Sequence, residues 1–388
     1  VRFQFTEEQS RFRQELSDFL DQEVPPETRT VFGTWSNEQY QFGRQLYKKM
    51  AGRRWPTIGW PEEYGGGGKT FVEQSIFDEQ IGYHRVPRVC ITSLNFAGPA
   101  LMRFGSEEQK IKYLRPIAST DVDYCQGFSE PDAGSDLAGL QMRADKDGDD
   151  YILNGSKIFT SYYLHADYIY LLARTNPDLP KHKGISLFIV DCKTSGITFQ
   201  DLPFINGEFA AQTFFDNVRV PRSCLIGDEN QGWYYAMTTL DYERAGLERY
   251  ARTRRAFDDF VELCKNTRDN GKALSENPIV RQKLAESKMN FETWKWLCWK
   301  VAWMQSRGQV PNAEASIAFL HGTDVRFKFS QAALEILGFY GTLTPDCDLA
   351  PLQGAIEGLS REALHLHGAG TMEVHRNIIA QRGLGLPR

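Results

Sequence analysis

The segment YILNGSKIFTS (Tyr151–Ser161), followed by ADYIYLLART (Ala166–Thr175), GISLFIVDC (Gly184–Cys192) and TFFDNVRV (Thr213–Val220), is a series of short β-branched and aromatic runs separated by turn residues. Runs of this length and composition read as strands. Asn154-Gly155 is a good two-residue hairpin turn between two of them. We expect a β domain over residues 120–228. On its N-terminal side the period is helical. TEEQSRFRQELSDFLDQEV (Thr6–Val24) opens with Thr6 at an N-cap position and sets Phe12, Leu16 and Phe19/Leu20 at helical spacing. Pro25-Pro26 and the run Gly65 to Gly68 then break the helices of a domain over 1–119. Past Gln231 the helical period returns in long segments, interrupted near Gly271, Gly308 to Pro311 and the loop GTLTPDCDLAPL (Gly341–Leu352). The spacing predicts a C-terminal helical bundle over 229–388, so the fold class is α+β.

The chain has 388 residues, more than the roughly 250–300 that one core usually holds. With 45 Lys+Arg against 50 Asp+Glu the net charge is −5, and no basic run is present. That balance argues against a nucleic-acid partner. Seven cysteines lie far apart without a C-x-x-C, which reads as buried thiols in a reducing compartment. The opening VRFQFTEEQS has no basic stretch leading into an apolar one, and no run approaches the roughly 18 apolar residues of a membrane span. We expect a cytoplasmic protein with no membrane partner.

Several familiar motifs fail. Gly68-Lys69-Thr70 ends like a phosphate-binding loop, but Glu63 stands where the first glycine belongs. No G-x-G-x-x-G joins a strand to a helix, so a dinucleotide would need another fold. His365, His367 and His375 lack a carboxylate at ligand spacing and read as solvated or core residues; no metal is assigned.

Two frames carry more. QGFSEPDAGSD (Gln126–Asp136) and LNGSKIFTSYYLHADYIYLLAR (Leu153–Arg174) resemble the acyl-CoA dehydrogenase family, whose members show a pattern close to S/T-E-P-x-x-G-S-D and then L-N-G-x-K-x-W/F-I-T-N. The resemblance extends over essentially the whole chain, through GWPEEYGGGG (Gly59–Gly68), GSEEQKIKYL (Gly105–Leu114), VRVPRSCLIGDENQGW (Val218–Trp233) and the terminus from Gly368. It implies a helical domain, a middle β-barrel-like domain and a helical bundle, with FAD as cofactor and α,β-desaturation of an acyl-CoA thioester as reaction. A base takes the α proton while the β hydrogen leaves as hydride, so base and flavin must face opposite sides of one C–C bond. By match of position, the backbone of Gln126 and Phe128 and the hydroxyl of Ser129 meet the isoalloxazine edge. Phe159, Thr160 and Ser161 flank the ring, Ser161 standing where family members hydrogen-bond N5, and Ser135 holds the pantetheine chain. Arg268, Gly338, Thr371 and Glu373 fall among the remaining cofactor contacts implied by the resemblance.

Many members carry a catalytic glutamate just before G-T in the C-terminal frame; here Ala369 precedes Gly370-Thr371. A second group, the isovaleryl-CoA dehydrogenase type, has G-A-G-T there and takes its base from L-D-x-E-R on an earlier helix. This chain has both Gly368-Ala369-Gly370-Thr371 and Leu240-Asp241-Tyr242-Glu243-Arg244. Glu243 is therefore the candidate base, and the Ala369 N–H the group that polarises the thioester carbonyl. The helix supports this: Ala236, Leu240, Leu247 and Ala251 make an apolar stripe with Glu243 on the same face, where desolvation raises a carboxyl pKa. The alternative is a buried ion pair with an arginine such as Arg254. Asp241, Tyr242, Arg244, Gly368 and Gly370 are expected at the substrate, with Arg244 reaching CoA or pairing with Asp241, and the segment Cys90 to Phe96 and Gly246 along the acyl pocket. Arg85 and Arg88 read as solvated, or as readers of a second carboxylate.

The pattern departs from the family at the adenosine side. Thr267-Arg268-Asp269-Asn270-Gly271 replaces R-x-x-F-G, and Glu335-Ile336-Leu337-Gly338-Phe339 replaces Q-x-x-G-G. These losses resemble bacterial members that form α2β2 heterotetramers; a homotetramer is the other expectation. Phe159 replaces the usual tryptophan. With the base on the earlier helix, the resemblance implies branched, cyclic or bulky acyl groups, and it implies an electron-transfer flavoprotein as acceptor. Alternatives on the same fold are an FAD-binding partner subunit with little activity alone, and a flavin oxidase or desulfinase.

Overall fold

The structure is a computed structural model that describes residues 4–26, 36–205, 209–243, 246–364, 368 and 370–387. Its helices are α1 (Glu7–Glu23), α2 (Asn37–Ala51), α3 (Phe71–Tyr83), α4 (Gly98–Phe104), α5 (Glu107–Ala118), α6 (Gly232–Glu243), α7 (Leu247–Asn266), α8 (Pro278–Ser306), α9 (Asn312–Leu337), α10 (Ala355–Leu364) and α11 (Met372–Ile378). Its strands are β1 (Tyr124–Gly127), β2 (Arg143–Asp147), β3 (Asp150–Ser161), β4 (Tyr168–Arg174), β5 (Ile185–Asp191), β6 (Ile197–Pro203), β7 (Phe209–Pro221) and the short pair β8 (Arg268–Asp269) and β9 (Lys272–Ala273). They divide into two compact units, one over 1–43, 69–87 and 244–388, the other over 44–68 and 88–243.

In the second unit the strands form a seven-stranded sheet in the order β1-β4-β2-β3-β7-β6, with β5 on β4. β1 runs parallel to β4, Tyr124 opposite Tyr168 and Gly127 opposite Leu171. Leu153, Ile169, Leu171, Phe188, Val190 and Val218 fill the inner face, each buried, which is the β-branched and aromatic chemistry that marked these runs as strands. The Asn154-Gly155 expectation is overturned: both residues lie inside β3, which β7 pairs along nearly its whole length. The β2–β3 turn is Gly148-Asp149, between Asp147 and its partner Asp150. Opposite Asn154, β7 bulges at Asp216-Asn217, and the Asn154 Oδ1 accepts from the Asn217 N–H at 2.8 Å. An Asn-Gly pair signals a turn only where the chain must reverse, and here a cross-strand partner absorbs it.

In the first unit Thr6 caps α1 as expected, its hydroxyl accepting from Gln9 N–H while the Gln9 side chain accepts from Thr6 N–H. Leu16 and Leu20 are buried and Phe12 packs against the core. α7, α8 and α9 enclose an aromatic cluster, with Phe257 and Phe291 rings 5.0 Å apart and Tyr250 edge-on to Trp294 at 5.5 Å. α3 crosses α7 at Gly82, where a Cβ would lie 2.3 Å from the Glu248 carbonyl oxygen. The stripe running from Ala236 to Ala251 is not one helix. α6 ends at Glu243 and α7 starts at Leu247, with Gly246 between them at φ 68°, a left-handed conformation that glycine adopts without a Cβ penalty. All seven cysteines are free; Cys90, Cys125, Cys264 and Cys298 are buried, whereas Cys192, Cys224 and Cys347 are half-buried, a departure from the uniform burial expected. Among the described residues no helix is long and apolar enough to cross a membrane, and no cluster of three His, Cys, Asp or Glu side chains is placed to hold a metal.

Candidate active site

The second unit brings six of the expected residues to neighbouring strand ends. Gln126 lies on β1 opposite Tyr170, and Phe128 just beyond it is buried with its ring 5.4 Å from the Tyr170 ring. Ser129 is half-buried, and its carbonyl accepts from Ile158 N–H at 2.8 Å. That bond ties the end of β1 to the end of β3. The β3–β7 register slips between Lys157 and Thr160, an extra residue on β3. The bulge places Phe159 at φ 60° with 53% of its surface exposed, 6.0 Å from the Phe204 ring. Thr160 turns inward, its hydroxyl accepting from Thr213 at 2.9 Å, and Ser161 pairs with Ala210. Tyr162, a residue outside the expected set, follows in a left-handed conformation and is exposed. An open aromatic face thus sits beside a rim of hydroxyls and strand-end amides. Ser135 is exposed on the turn that follows, next to Asp136, which pairs with Lys181 at 2.7 Å.

α6 is docked onto this sheet. Gly232 sits against the backbone of Ser186 and Leu187, where a Cβ would come within 2.4 Å, and buried Thr239 meets Tyr170. The Thr239 hydroxyl donates to the Ala236 carbonyl at 2.9 Å, so the Tyr170 hydroxyl is the donor to Thr239 at 3.3 Å. Burial pushes the Tyr170 phenol up, which keeps it a neutral donor. A chain of contacts therefore runs Phe128–Tyr170–Thr239. Asp241, Tyr242 and Glu243 occupy the last turn of α6, and Glu243 stands four residues, about one turn, beyond Thr239. The side chains of Leu240, Asp241, Tyr242 and Glu243 lie outside the described residues, as do Arg244, Ala369, His365 and His367 altogether.

Two further buried groups stand at this site without a motif to announce them. Lys157, fully buried, pairs with Glu130 at 2.8 Å and donates to the Phe128 carbonyl at 3.1 Å. Burial lowers its pKa to about 8 against the upward pull of Glu130. A signal existed: Lys157 shares the odd positions of Tyr151 and Leu153, the buried parity of β3. Asp123 is the other. Its carboxylate accepts from Cys90 N–H at 3.2 Å, Ser93 hydroxyl at 3.1 Å and Tyr124 N–H at 2.8 Å, joining β1 to the segment expected along the pocket. Burial raises its pKa, and only three-dimensional contacts reveal it.

In the first unit Arg268 is exposed on the β8–β9 hairpin, its guanidinium 3.4 Å from the Gly271 carbonyl. Gly338 closes α9 at φ 57°, Thr371 caps α11, and Glu373 pairs with Arg376 at 3.3 Å. Gly370 takes φ 108° beside buried His375, which accepts or donates at Ser316 and stacks on Phe319 at 4.1 Å, the core reading for that histidine. Arg254 bonds Asp258 at 2.9 Å and Glu292 at 3.1 Å. Arg85 is not a solvated residue: its side chain is 11% exposed and lies 2.9 Å from Asp259. Arg88 is half-buried.

The chain matches the family descriptions of the acyl-CoA dehydrogenase N-terminal domain over residues 6–121, middle domain over 125–218 and C-terminal domain over 230–384. It is 35% identical to acyl-CoA dehydrogenase FadE26 of Mycobacterium tuberculosis, over 100% of this chain and 99% of that protein. The solved ChsE4-ChsE5 complex from Mycobacterium tuberculosis superposes with a TM-score of 0.91 at 35% identity, covering 100% of both chains. The Tcur3481-Tcur3483 steroid ACAD does so with a TM-score of 0.91 at 36% identity, again over 100% of each. With its N-terminal helical domain, curled middle sheet and C-terminal helical domain, the chain belongs to the acyl-CoA dehydrogenase family of FAD-dependent oxidoreductases.

Proposed function

We propose that this chain desaturates the Cα–Cβ bond of an acyl-CoA thioester with a bulky, branched or cyclic acyl group, Glu243 taking the α proton. The observation that carries the reading is the docking of α6. Thr239 is held to Tyr170, Tyr170 to Phe128, and Glu243 follows Thr239 by about one helical turn, which supports a last turn of α6 referenced to the strand end that bears Ser129. The apolar stripe from Ala236 to Ala251 is interrupted at Gly246. The name of the steroid ACAD, a relative at 36% identity, supports a ring-bearing acyl group.

The donor set fits an isoalloxazine. The hydroxyls of Ser129 and Ser161 and the strand-end amides at Gln126 to Ser129 suit its acceptor-rich edge, and exposed Phe159 offers an aromatic face. When bound, FAD supplies the acceptor for the hydride that leaves the β carbon. The chain's own residues do the rest. Glu243 receives the α proton, the Ala369 N–H polarises the thioester carbonyl, and Thr160 to Ser161 hold the flank of the ring. Ser135 holds the pantetheine chain, with Asp241, Tyr242, Arg244, Gly368 and Gly370 around the thioester; Arg268, Gly338, Thr371 and Glu373 serve the remainder of the cofactor. We assign domains to 1–119, 120–228 and 229–388, the cytoplasm as location, and an electron-transfer flavoprotein as acceptor.

The chain works in a tetramer, homomeric or α2β2. Two relatives solved as complexes of differently named chains support the heteromeric form. So does Phe339, 93% exposed beside exposed Tyr340 just past α9, an apolar surface of the kind that assembly covers. That same surface favours a second reading, in which the chain is an FAD-binding partner subunit with little activity alone.

Glu243→Gln tests the mechanism. Mixed anaerobically with straight, branched and ring-bearing CoA esters, the variant is expected to retain FAD and bind ester, while bleaching of the flavin slows by about 10²–10⁴. An unchanged rate removes Glu243 from the mechanism. Oxygen consumption by the reduced wild type separates a dehydrogenase from an oxidase.

A further inference from the structure

We propose that the buried Glu130–Lys157 pair is a positioning device that aims the Phe128–Ser129 backbone at FAD and, through the same carboxylate, fixes the loop carrying Ser135; this rests on the flavin reading above. Lys157 Nζ donates to the Phe128 carbonyl at 3.1 Å, and one residue on, Ile158 N–H donates to the Ser129 carbonyl at 2.8 Å. Both carbonyls of the turn are thereby directed at β3. A trans peptide holds its C=O and N–H on opposite sides. Fixing the Phe128 carbonyl inward therefore turns the Ser129 N–H away from β3, and among the described residues none accepts from it.

The carboxylate does the second half. Glu130 Oε1 takes Lys157 at 2.8 Å and the Met142 N–H at 2.9 Å, while Oε2 takes the Gln141 N–H at 2.6 Å. Arg174 grips the same segment from its carbonyl side, donating to Leu140 at 2.8 Å and Ala138 at 2.8 Å. The stretch 130–142, with Ser135 at its exposed bend, is thus clamped by its amides to one buried charge and by its carbonyls to another. Stability does not account for the arrangement, since an apolar pair of similar volume would hold the sheet as well or better. What an apolar pair cannot do is set the direction of three backbone groups at once.

FAD titration of the apoprotein tests this, using the full chain with any subunits that co-purify. In E130Q/K157M, which removes both charges together, we expect apoprotein melting within a few degrees of the parent, FAD affinity about tenfold weaker, and a bound-flavin visible band shifted toward that of free FAD at saturation. A folded variant with the parent's affinity and band overturns the proposal. If E130Q/K157M does not fold, K157R decides, because it keeps the charge balance but substitutes a planar fork for a compact ammonium. There, FAD binding about threefold weaker or more supports the proposal, and parental binding overturns it. Failure of both variants to fold makes the pair a folding element and overturns it too. A parent that binds no FAD defeats the flavin reading itself, whereas a parent that binds FAD beside unaltered variants defeats only this inference.

Discussion

Lys157 occupies a site with no solvent exposure, where an unpaired ammonium would cost several kcal/mol. Glu130 and the Phe128 carbonyl keep it ionised at neutral pH, although burial has drawn its pKa from 10.5 to about 8. The sign of the linkage follows. Between about pH 8 and 10.5 the unfolded chain holds a proton that the folded chain has released. Folding stability from this group is therefore fully present above 10.5 and is lost as pH falls through about 8. Urea unfolding of wild type against E130Q/K157M should show wild type gaining relative stability as pH rises across that window; a flat difference would mean that Lys157 titrates normally. The neighbouring acid Asp123 makes a different use of burial. It gathers three donors from Cys90, Ser93 and Tyr124, so its charge is spent on local geometry at the start of β1.

At the scale of elements, irregularities do the placing. One extra residue on β3 after Lys157 turns Phe159 outward and Thr160 inward, where a regular strand would have sent them the other way. One left-handed glycine, Gly246, stands between the end of α6 and the start of α7. Close crossings are equally exacting. At Gly82 a methyl group would meet the Glu248 backbone oxygen, which no side-chain rotation relieves. Gly82→Ala should destabilise the helical unit by about 1–3 kcal/mol, read as a lowered thermal midpoint. A midpoint equal to wild type would mean that α3 and α7 are free to separate at no cost.

The whole molecule raises the question of how many chains complete one flavin site. Arg268 stands on a short exposed hairpin, Gly338 is followed by an almost fully exposed phenylalanine, and neither carries the residue pattern usual in the family. On the heteromeric proposal, the chain expressed alone is expected to hold less than one FAD per subunit, and to reach full occupancy when co-expressed with a second subunit type. Absorbance of the bound flavin together with native mass checks this. Full occupancy in a tetramer of this chain alone would refute the heteromeric proposal and leave a self-sufficient enzyme.

Local patterns sufficed for much of this. The alternation of Tyr151, Leu153 and their neighbours, the Thr6 cap with Gln9, and the helical period of the flanking regions are short-range properties, and they specified an α+β chain of helices, sheet and helices. The two sequence frames pointed to the segments Gln126 to Ser129 and Phe159 to Ser161 through their resemblance to a family pattern. Other features belong to the tertiary structure alone. Asn154-Gly155 is a strand interior because β7 pairs across it, Arg85 is an ion-pair partner because Asp259 lies beside it, and Glu130 and Lys157 meet from 27 residues apart. A turn propensity or a charged side chain is worth about 1 kcal/mol locally, and its fate is decided by which distant residues the fold brings against it.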